Sequence, residues 1–543
     1  MLQSLRNSSA LSAGEAGYLD LDRLVENLAS RDGAIHTLEG GKAVQRSYRQ
    51  LGDDCIRAMD FLRSWNVAPG MRVGIYAPNS YCWLVYDLAL LEIGAVSVAF
   101  TDDFKDNLAD AASANDILAK YGVALLLTAK NLAPLLSHLR APIAFIDDPD
   151  RNFGLTLPRP PVAACTDPDQ LGLVFSSGSS GGLKGLVISR RGVSSTLPPL
   201  IQAVGIGKGD SLLLFLPMSN FQQRFLCYAA LWRDFDIILV DPTQLFTALE
   251  MLEPTALLAP PVFYQMVHAE YLRKSRWIRA RDRVIAALLW AMPDARRRRD
   301  LARRALRDFH RQFGGRIRLL VTGMAPIRPE IARLFHRMQL PLAEAYGMVE
   351  TGVIAYRPGG CKDFTSVGMP LADVRLSFSA DGEILVSRPY TVASGYFQCA
   401  EGEDKKTFLA PGIVATGDIG ALDRRGRLSL LGRKKEIIVT SSGHKIHPEV
   451  MERELDAHPE IASSVVFMGH KSDLRCVITL NNPDDEEAKR RVKRFLTDHE
   501  HTRRLFSMVT VIFAEAPFTR ENGMLRPNMK IDRRRVVERY GAA

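Results

Sequence analysis

The sequence lacks the features that mark secreted, zinc-binding or membrane-spanning proteins. Its seven cysteines are far apart, with no Cys-x-x-Cys pair and no nearby histidine at metal-ligand spacing, so we expect reduced thiols. Residues 1–17 contain no apolar segment typical of a signal peptide. No apolar run reaches the roughly 18 residues that a spanning helix needs, and the best candidate, Val284–Met292, is too short. These absences predict a cytoplasmic protein.

Basic residues are concentrated in one part of the chain, residues 273–318, which we call the basic segment. It holds sixteen lysines and arginines against four aspartates, a net charge of +12 in a chain whose total is +9. One interpretation is an ordinary solvated helical face. A second, suggested by the interleaved Trp277, Leu288 and Trp290, is a peripheral contact with anionic lipid at the inner face of a membrane. Nucleic acid is not expected as a partner, because no aromatic or helix-turn-helix signature accompanies the charge.

Helical and strand-like patterns alternate from Tyr48 onward, which indicates α/β layers with largely parallel strands. Residues 373–430 instead show short strands separated by Gly and Asp turns, typical of a β-rich subdomain. We therefore predict an α/β fold whose large N-terminal domain combines layered α/β subdomains with this β-rich subdomain.

Beyond Gly432 the pattern changes to shorter βαβ-type pieces. We expect a strand at Glu436–Thr440 and, later, a helix that starts at Pro483 with four acidic residues in its first turn. The change places a domain boundary so that the N-terminal domain covers residues 1–433 and a small α+β C-terminal domain covers residues 434–543.

A loop of glycines and small hydroxylated residues lies at Val174–Leu186. The segments on either side, Leu171–Phe175 and Leu186–Ile188, have the pattern of buried strands, which does not suit a flexible Ser/Gly linker. The Walker A pattern fails, because Leu183 and Gly185 stand where its second glycine and its Ser/Thr are required. Glycines let backbone N–H groups converge on an anion, and hydroxyls and an ammonium add further donors. The loop predicts a triphosphate site of another type, formed by Ser176, Ser177, Gly178, Ser179, Ser180, Gly181 and Lys184.

Four further motifs follow this loop in order. They are Thr322-Gly323-Met324-Ala325-Pro326, Tyr346-Gly347-Met348-Val349-Glu350, Thr416-Gly417-Asp418 and Gly432-Arg433-Lys434-Lys435-Glu436. Together with the loop they resemble the adenylate-forming superfamily of acyl-CoA synthetases, non-ribosomal-peptide adenylation domains and luciferases, over roughly residues 48–535. The resemblance implies that the loop wraps the β- and γ-phosphates of ATP and that the small C-terminal domain is mobile.

The resemblance also implies a role for each motif in nucleotide binding. The turn beside adenine would be formed by Gly323, Met324, Ala325 and Pro326. Tyr346, followed by Gly347, would stack on the base, and Asp418 and Arg433 would bind the ribose. Glu350 would hold Mg²⁺, a hard cation that prefers oxygen ligands.

Val349 departs from the family pattern, which has threonine at this position. Valine fills a similar volume but offers no hydroxyl to the α-phosphate or the acyl carboxylate. The lost charge-assisted hydrogen bond is worth about 1.5–3 kcal/mol.

The resemblance also implies catalytic, hinge and thiol-site residues, several of them near the C-terminus. The stretch from Pro517 to Arg533 has the form of the long-chain acyl-CoA synthetase branch, which implies that Lys530 is the family's catalytic lysine. Lys184 and Glu350 are the further catalytic residues that the resemblance implies. Lys435 stands at the hinge. Gly443 and Lys445 would lie where the incoming thiol enters.

Two looser resemblances indicate the acyl substrate. The stretch Leu216–Arg224 is similar to a Leu-Pro-x-x-His-x-x-x-Arg sequence beside the acyl pocket, with Asn220 in place of histidine and with Phe221 and Arg224 as further pocket residues. The basic helices that end at Phe313–Arg318 resemble the long helical insertion of the long-chain branch.

The resemblance thus implies an AMP-forming acid–thiol ligase that uses ATP, Mg²⁺ and coenzyme A to convert a carboxylic acid, expected to be a fatty acid, into a thioester. Two alternatives stay open: transfer to the phosphopantetheine of an acyl carrier protein, and a catalytically impaired homologue that binds nucleotide or adenylate. Acyl chain length and oligomeric state are not given by the sequence.

Overall fold

We describe a computed structural model of the chain. It describes residues 19–101, 104–105, 110–147, 165–177, 183–340, 342–439, 445–456, 458–469, 473–498, 509–519, 521–525 and 531–542. All seven cysteines lie in these ranges and all are free thiols, as predicted.

The strands, in chain order, are β1 (Ala34–Glu39), β2 (Lys42–Ser47), β3 (Arg72–Tyr76), β4 (Val96–Ala99), β5 (Val123–Thr128), β6 (Ile143–Phe145), β7 (Gln170–Ser177), β8 (Leu183–Ser189), β9 (Ser211–Leu214), β10 (Asp236–Leu239), β11 (Ala256–Ala259), β12 (Leu319–Thr322), β13 (Leu342–Met348), β14 (Gly352–Arg357), β15 (Met369–Pro370), β16 (Arg375–Phe378), β17 (Glu383–Ser387), β18 (Ala393–Tyr396), β19 (Phe408–Ala410), β20 (Ile413–Leu422), β21 (Leu428–Arg433), β22 (Ile438–Val439), β23 (Lys445–Ile446), β24 (Ile461–Met468), β25 (Leu474–Leu480) and β26 (Val509–Phe513).

The α-helices are α1 (Tyr48–Ser64), α2 (Tyr81–Ile93), α3 (Ala111–Lys120), α4 (Ala133–Leu136), α5 (Arg190–Val204), α6 (Phe221–Arg233), α7 (Leu245–Leu252), α8 (Pro261–Arg273), α9 (Arg276–Trp290), α10 (Ala295–Ala305), α11 (Arg307–His310), α12 (Pro329–Arg337), α13 (Pro448–Asp456), α14 (Glu486–Asp498) and α15 (Arg533–Tyr540). Short 3-10 turns occur at Leu21–Arg23, Glu26–Ser30, Lys130–Leu132, Pro242–Gln244, Arg311–Phe313, Asp404–Lys406 and Lys434–Glu436.

Two large, mostly parallel sheets form the bulk of the protein. One has the order β18-β8-β7-β4-β3-β5-β6 and is parallel from β7 to β6. The other has the order β15-β14-β13-β12-β11-β9-β10-β1-β2 and is parallel from β13 to β1. Parallel strands are short apolar runs covered by helices on both faces, which is the alternation that the sequence predicted.

The largest hydrophobic core joins these two sheets. It includes residues of β3, β7, β9 and β10 together with α1, α2, α5 and α6. Helix α2 is apolar on all sides, and every residue except Cys82 and Glu92 is buried, as expected of a helix that lies between two layers. A second core, formed by α7, α8, α12 and their neighbours, covers the other face of the nine-stranded sheet.

The β-rich region and the C-terminal region have the predicted character. Strands β16, β17, β19, β20 and β21 form a separate antiparallel sheet over residues 375–433. After it, β24, β25 and β26 form a three-stranded sheet with its own hydrophobic core against α13 and α14.

Two predicted elements differ from the structure. The helix expected to start at Pro483 begins at Glu486, because the Asp485 carboxylate accepts a hydrogen bond from the Ala488 N–H at 2.8 Å and so caps a later first turn. The strand expected at Glu436–Thr440 begins only at Ile438, because Glu436 belongs to a 3-10 turn, and Thr440 lies outside the described residues.

Candidate active site

The predicted phosphate loop connects two antiparallel strands. Val174 pairs with Leu186 and Ser176 with Lys184, so the strands predicted on either side of the loop are confirmed. Ser177 ends β7, and four predicted loop residues, Gly178, Ser179, Ser180 and Gly181, lie outside the described residues.

Lys184 contacts side chains from a different part of the chain. Its Nζ forms an ion pair with the Glu403 carboxylate and lies 5.8 Å from the centre of the Tyr396 ring. Tyr396 reaches this place because β18 pairs with β8, opposite Leu186. Hydrogen bonding to Lys184 lowers the pKa of Glu403, which keeps this carboxylate charged.

Glu350 is a buried carboxylate on the other side of Tyr396. It follows β13 directly, is 8% exposed, and its Oε1 accepts a hydrogen bond from the Tyr396 hydroxyl at 3.1 Å. Burial raises the pKa of Glu350. The pKa of Tyr396 is raised to about 12, mainly by burial and secondly by the charge of Glu350. Within the described ranges no lysine or arginine forms an ion pair with Glu350.

The predicted adenine turn follows the carboxyl end of β12. A side chain at Gly323 would place its Cβ 2.9 Å from the Ala345 carbonyl oxygen, so the close approach to β13 requires glycine. Met324 has φ +72° and is 40% exposed, at the position where the family motif has its second glycine. A left-handed conformation costs a non-glycine residue about 1–2 kcal/mol, and such strain is concentrated at functional sites.

Tyr346 and Gly347 lie in β13, the neighbouring strand. The pairing of β13 with β14 shifts between them, and a Cβ at Gly347 would lie 2.4 Å from the Gly352 carbonyl oxygen. The bulge turns the Tyr346 side chain toward the β-rich region, where its hydroxyl donates to Asp418 Oδ2 at 2.5 Å. Val349, two residues beyond the bulge, is half-buried.

Asp418 and Arg433 are cross-strand partners on β20 and β21. Arg433 Nε lies 2.9 Å from Asp418 Oδ1, and the Asp418 N–H donates to Thr416 Oγ1 at 3.0 Å. Burial is the main cause that raises the pKa of Asp418, and it also raises the pKa of Tyr346 well above its usual value. Asp418 is 8% exposed as a residue, whereas the Arg433 side chain is 47% exposed, so the pair opens on one side to solvent.

The residues predicted to line an acyl pocket have different environments. Asn220 caps α6, because its side chain accepts a hydrogen bond from the Gln222 N–H at 3.2 Å, and Phe221 is buried in the large core. Arg224 is 1% exposed and forms an ion pair with Asp87, with Nη2 to Oδ1 at 2.6 Å. Arg224 therefore stabilises the core, a role that sequence reasoning did not anticipate, and its contact with an acyl chain stays a prediction.

The hinge and thiol residues are described only in part. Lys435 lies exposed in the 3-10 turn Lys434–Glu436, and the backbone of Lys445 lies in β23. Gly443 and Lys530 lie outside the described residues.

Sequence reasoning missed Tyr396 and Glu403, the residues closest to Lys184. Glu403 is 219 positions from Lys184, and no motif spacing connects them. A polar tyrosine at the end of a short strand was the available signal for Tyr396, and it is a weak one. The pairing of β18 with β8 is what brings Tyr396 close to Lys184.

The site lies at the carboxyl ends of parallel strands. The phosphate loop follows β7, the adenine turn follows β12 and Glu350 follows β13, while the β-rich sheet contributes Asp418 and Arg433. In α/β proteins this edge is where ligands bind, because the loops that follow the strands converge there. In the described part of the chain no cluster of three or more His, Cys, Asp or Glu side chains could hold a metal, and no helix is long and apolar enough to cross a membrane.

Comparison with known proteins agrees with this arrangement. Residues 25–397 match the AMP-binding enzyme family. A long-chain-fatty-acid–CoA ligase, FadD15 of Mycobacterium bovis, is 28% identical over 89% of this chain and 88% of the relative. Among solved structures, the amide bond synthetase McbA of Marinactinospora thermotolerans has a TM-score of 0.73 at 19% identity, with 96% of this chain and 100% of that one covered. ATP-bound MatB of Rhodopseudomonas palustris has a TM-score of 0.71 at 20% identity, with 97% and 99% covered.

These likenesses confirm two predictions, the α/β fold class and the adenylate-forming type of enzyme. Because the family match covers more than half of its length, the chain belongs to the AMP-binding enzyme family.

Proposed function

We propose that the protein activates a carboxylic acid with ATP and transfers the acyl group to coenzyme A. Fatty acids are the favoured class of substrate. The observation that carries the proposal is the convergence of Lys184, Glu350, Tyr346 and the Asp418–Arg433 pair, from four separate segments, near the carboxyl ends of β7 and β13. Catalysis of phosphoryl transfer depends mainly on positioning and charge stabilisation, which such a constellation supplies.

The adenosine half of ATP would bind between the nine-stranded sheet, which contains Tyr346, and the β-rich sheet, which contains Asp418 and Arg433. Tyr346 would stack on adenine beside the turn Gly323–Pro326. The ribose hydroxyls would donate to Asp418, which now accepts from Tyr346 and pairs with Arg433, and Arg433 keeps the carboxylate charged.

Glu350 fits the Mg²⁺ that accompanies ATP. Its carboxylate is buried, accepts a hydrogen bond from a neutral hydroxyl and forms no ion pair with a lysine or arginine among the described residues. Such a carboxylate is a hard oxygen donor, which suits this ion. When bound, Mg²⁺ would neutralise phosphate charge. Lys184 would exchange the Glu403 carboxylate for the β- and γ-phosphates and hold the departing pyrophosphate.

The first step forms a mixed anhydride. A carboxylate oxygen of the acid attacks the α-phosphorus, the bond to the bridging oxygen of the β-phosphate breaks, and acyl-AMP and pyrophosphate result. We assign Lys530 to the α-phosphate side of this step. In the second step the thiol sulfur attacks the acyl carbon, the thiol proton is lost, and AMP leaves.

We also propose that the chain divides at residue 433 into a nucleotide domain and a C-terminal domain that turns about Lys435. The turn would withdraw Lys530 and present Gly443 and Lys445 to the thiol. The small three-stranded sheet with its own core supports a unit that moves as one body.

Fatty acid is the favoured substrate because of the likeness to a long-chain-fatty-acid–CoA ligase along most of both chains. The test incubates the full chain with MgATP, CoA and a panel of short to long aliphatic and aromatic acids, and measures pyrophosphate and thioester. We expect the strongest acid-dependent release with long aliphatic acids, and thioester with free CoA. Lys530→Ala should abolish the first step, whereas Lys120→Ala, an exposed lysine on α3, should not.

Other outcomes of this experiment identify the alternatives. Pyrophosphate release with thioester only on an added carrier protein would establish the carrier-loading ligase. Folded protein that binds ATP but releases no pyrophosphate with any acid would refute the proposal. That result would favour the impaired homologue, which Val349 in place of threonine supports.

A further inference from the structure

The basic segment contains the helices α9 to α11, and α9 has two apolar faces. One face packs on the protein: Asp282, Ala286 and Leu289 are buried there, and Leu289 belongs to the second core. The opposite face is exposed, although it too carries large apolar side chains. A helix with a second, solvent-facing apolar stripe needs a partner to explain it.

The exposed stripe is formed by Trp277, Val284 and Leu288, which are 81%, 60% and 67% exposed. Their spacing of seven and four residues places them along one side of the helix, over about 16 Å at 1.5 Å per residue. Two small exposed residues, Ala280 and Ala287, extend the apolar surface along one edge of the stripe. The stripe is therefore an aligned apolar face rather than three scattered side chains.

Arginines border the stripe and continue beyond it. On α9, Arg276 and Arg283 lie on one side of the stripe and Arg281 on the other, and all three are exposed. Of these three, only Arg281 pairs with acidic residues in the described part of the chain, with Asp282 at 2.8 Å and Asp308 at 3.8 Å. The basic segment as a whole has sixteen cationic residues against four anionic ones, so its surface field is strongly positive.

The combination of an apolar stripe and bordering arginines favours one kind of binding partner over the others. A second copy of the same surface would bring two positive segments together, and like charges oppose that interface. Nucleic acid would meet the arginines but leave the valine and leucine without a favourable environment. An anionic phospholipid surface meets both requirements, because headgroup phosphates attract the arginines and the interfacial zone accepts tryptophan and aliphatic side chains.

We propose that α9 docks along an anionic phospholipid bilayer, with Trp277, Val284 and Leu288 inserted at the level of the headgroups. This peripheral contact does not depend on the proposed enzymatic function. It would place the enzyme beside the phase in which long-chain acids dissolve.

The test is co-sedimentation of the full chain with vesicles of phosphatidylcholine alone and of phosphatidylcholine with about one third phosphatidylglycerol. We expect binding at least tenfold stronger to the anionic vesicles and a steep loss with added salt, since screening shortens the range of the attraction. The variant Trp277→Ser/Val284→Ser/Leu288→Ser should lose at least tenfold in vesicle affinity. Ile56→Ser, at a residue that is 54% exposed on α1, is the matched control and should bind as the unchanged protein does.

Surface substitutions at these positions should leave thermal unfolding nearly unchanged, which separates lost docking from lost folding. Equal vesicle binding by the triple variant and the unchanged protein would overturn the proposal, as would absence of binding to anionic vesicles. A concentration-dependent dimer that the triple variant abolishes, or tight binding to duplex DNA without vesicle binding, would assign the surface to a different occupant.

Discussion

An aspartate bonded by both an arginine and a tyrosine occurs in the core and again in the candidate active site, and these two groups can be compared. In the core, Asp87 pairs with Arg224 at 2.6 Å and accepts from the Tyr228 hydroxyl at 2.6 Å. In the candidate active site, Asp418 has an arginine at 2.9 Å and a tyrosine hydroxyl at 2.5 Å. We call these the core triad and the site triad.

The two triads differ in what surrounds them. Arg224 and Asp87 have side chains 1% and 0% exposed, and Arg224 also donates to Ser97 Oγ at 2.8 Å, so the core triad joins α2, α6 and β4. In the site triad, by contrast, the arginine is half-exposed. A sealed charge pair is a structural element, whereas an open one can exchange its partners for a ligand. We therefore propose that the same chemistry serves stability in the core triad and nucleotide binding in the site triad.

The largest expected effect is on the stability of the core triad. Arg224→Met removes the cationic partner of the buried Asp87 carboxylate, so chemical denaturation should show a loss of about 3–5 kcal/mol in the free energy of unfolding. Arg433→Met, the matched change in the site triad, should cost well under 1 kcal/mol, because that arginine is half-exposed. Adding Asp87→Leu to Arg224→Met should recover part of the loss. Equal losses in the two single variants would show that the triads do not differ in this way.

The next largest effect should be on nucleotide affinity. Asp418→Asn removes a charged acceptor for the ribose hydroxyls, and a charge-assisted hydrogen bond is worth about 1.5–3 kcal/mol, so AMP should bind about 10–150-fold more weakly. Calorimetric titration with AMP measures this directly. Asp423→Asn, in an exposed turn of the same sheet, is the control and should leave affinity unchanged. If both variants bind AMP as the unchanged protein does, the ribose does not bind at the site triad.

A gain should follow from Val349→Thr, beside the site triad. The half-buried valine leaves room for a hydroxyl of similar volume, and one new bond to a charged oxygen should raise the adenylation rate about tenfold, or about 1.4 kcal/mol. Pyrophosphate release at saturating ATP and acid provides the measurement. Val353→Thr, four residues further along in β14, is the control. An unchanged rate would mean that the missing hydroxyl is supplied elsewhere.

The smallest effect concerns Glu403, whose carboxylate forms the ion pair with Lys184. Glu403→Gln frees the ammonium, so the KM for ATP should fall two- to fivefold, most clearly at low salt. Exposed Glu401 gives the matched control, Glu401→Gln, which should leave KM unchanged. A higher KM in the Glu403 variant would indicate that this carboxylate positions Lys184 rather than competing with phosphate for it.

Prediction from the sequence worked where local structure follows from neighbouring residues. The strands on either side of the phosphate loop and the alternation of helices and strands were recognisable in this way. Sequence reasoning did not anticipate the ion pair of Arg224, because the burial of its guanidinium depends on Asp87, 137 positions away. The pairing of Lys184 with Glu403 was missed for the same reason.

The sequence by itself determined the family, the order of the nucleotide motifs and the α/β alternation, because glycine turns, apolar periodicity and motif spacing act over short stretches of chain. Only the tertiary structure decided which Asp–Arg–Tyr group is sealed and which is open, which carboxylate meets Lys184, and which face of α9 points to solvent. Those outcomes depend on burial and on the pairing of distant strands, and the energy of a charged group is set by these surroundings rather than by its sequence neighbours.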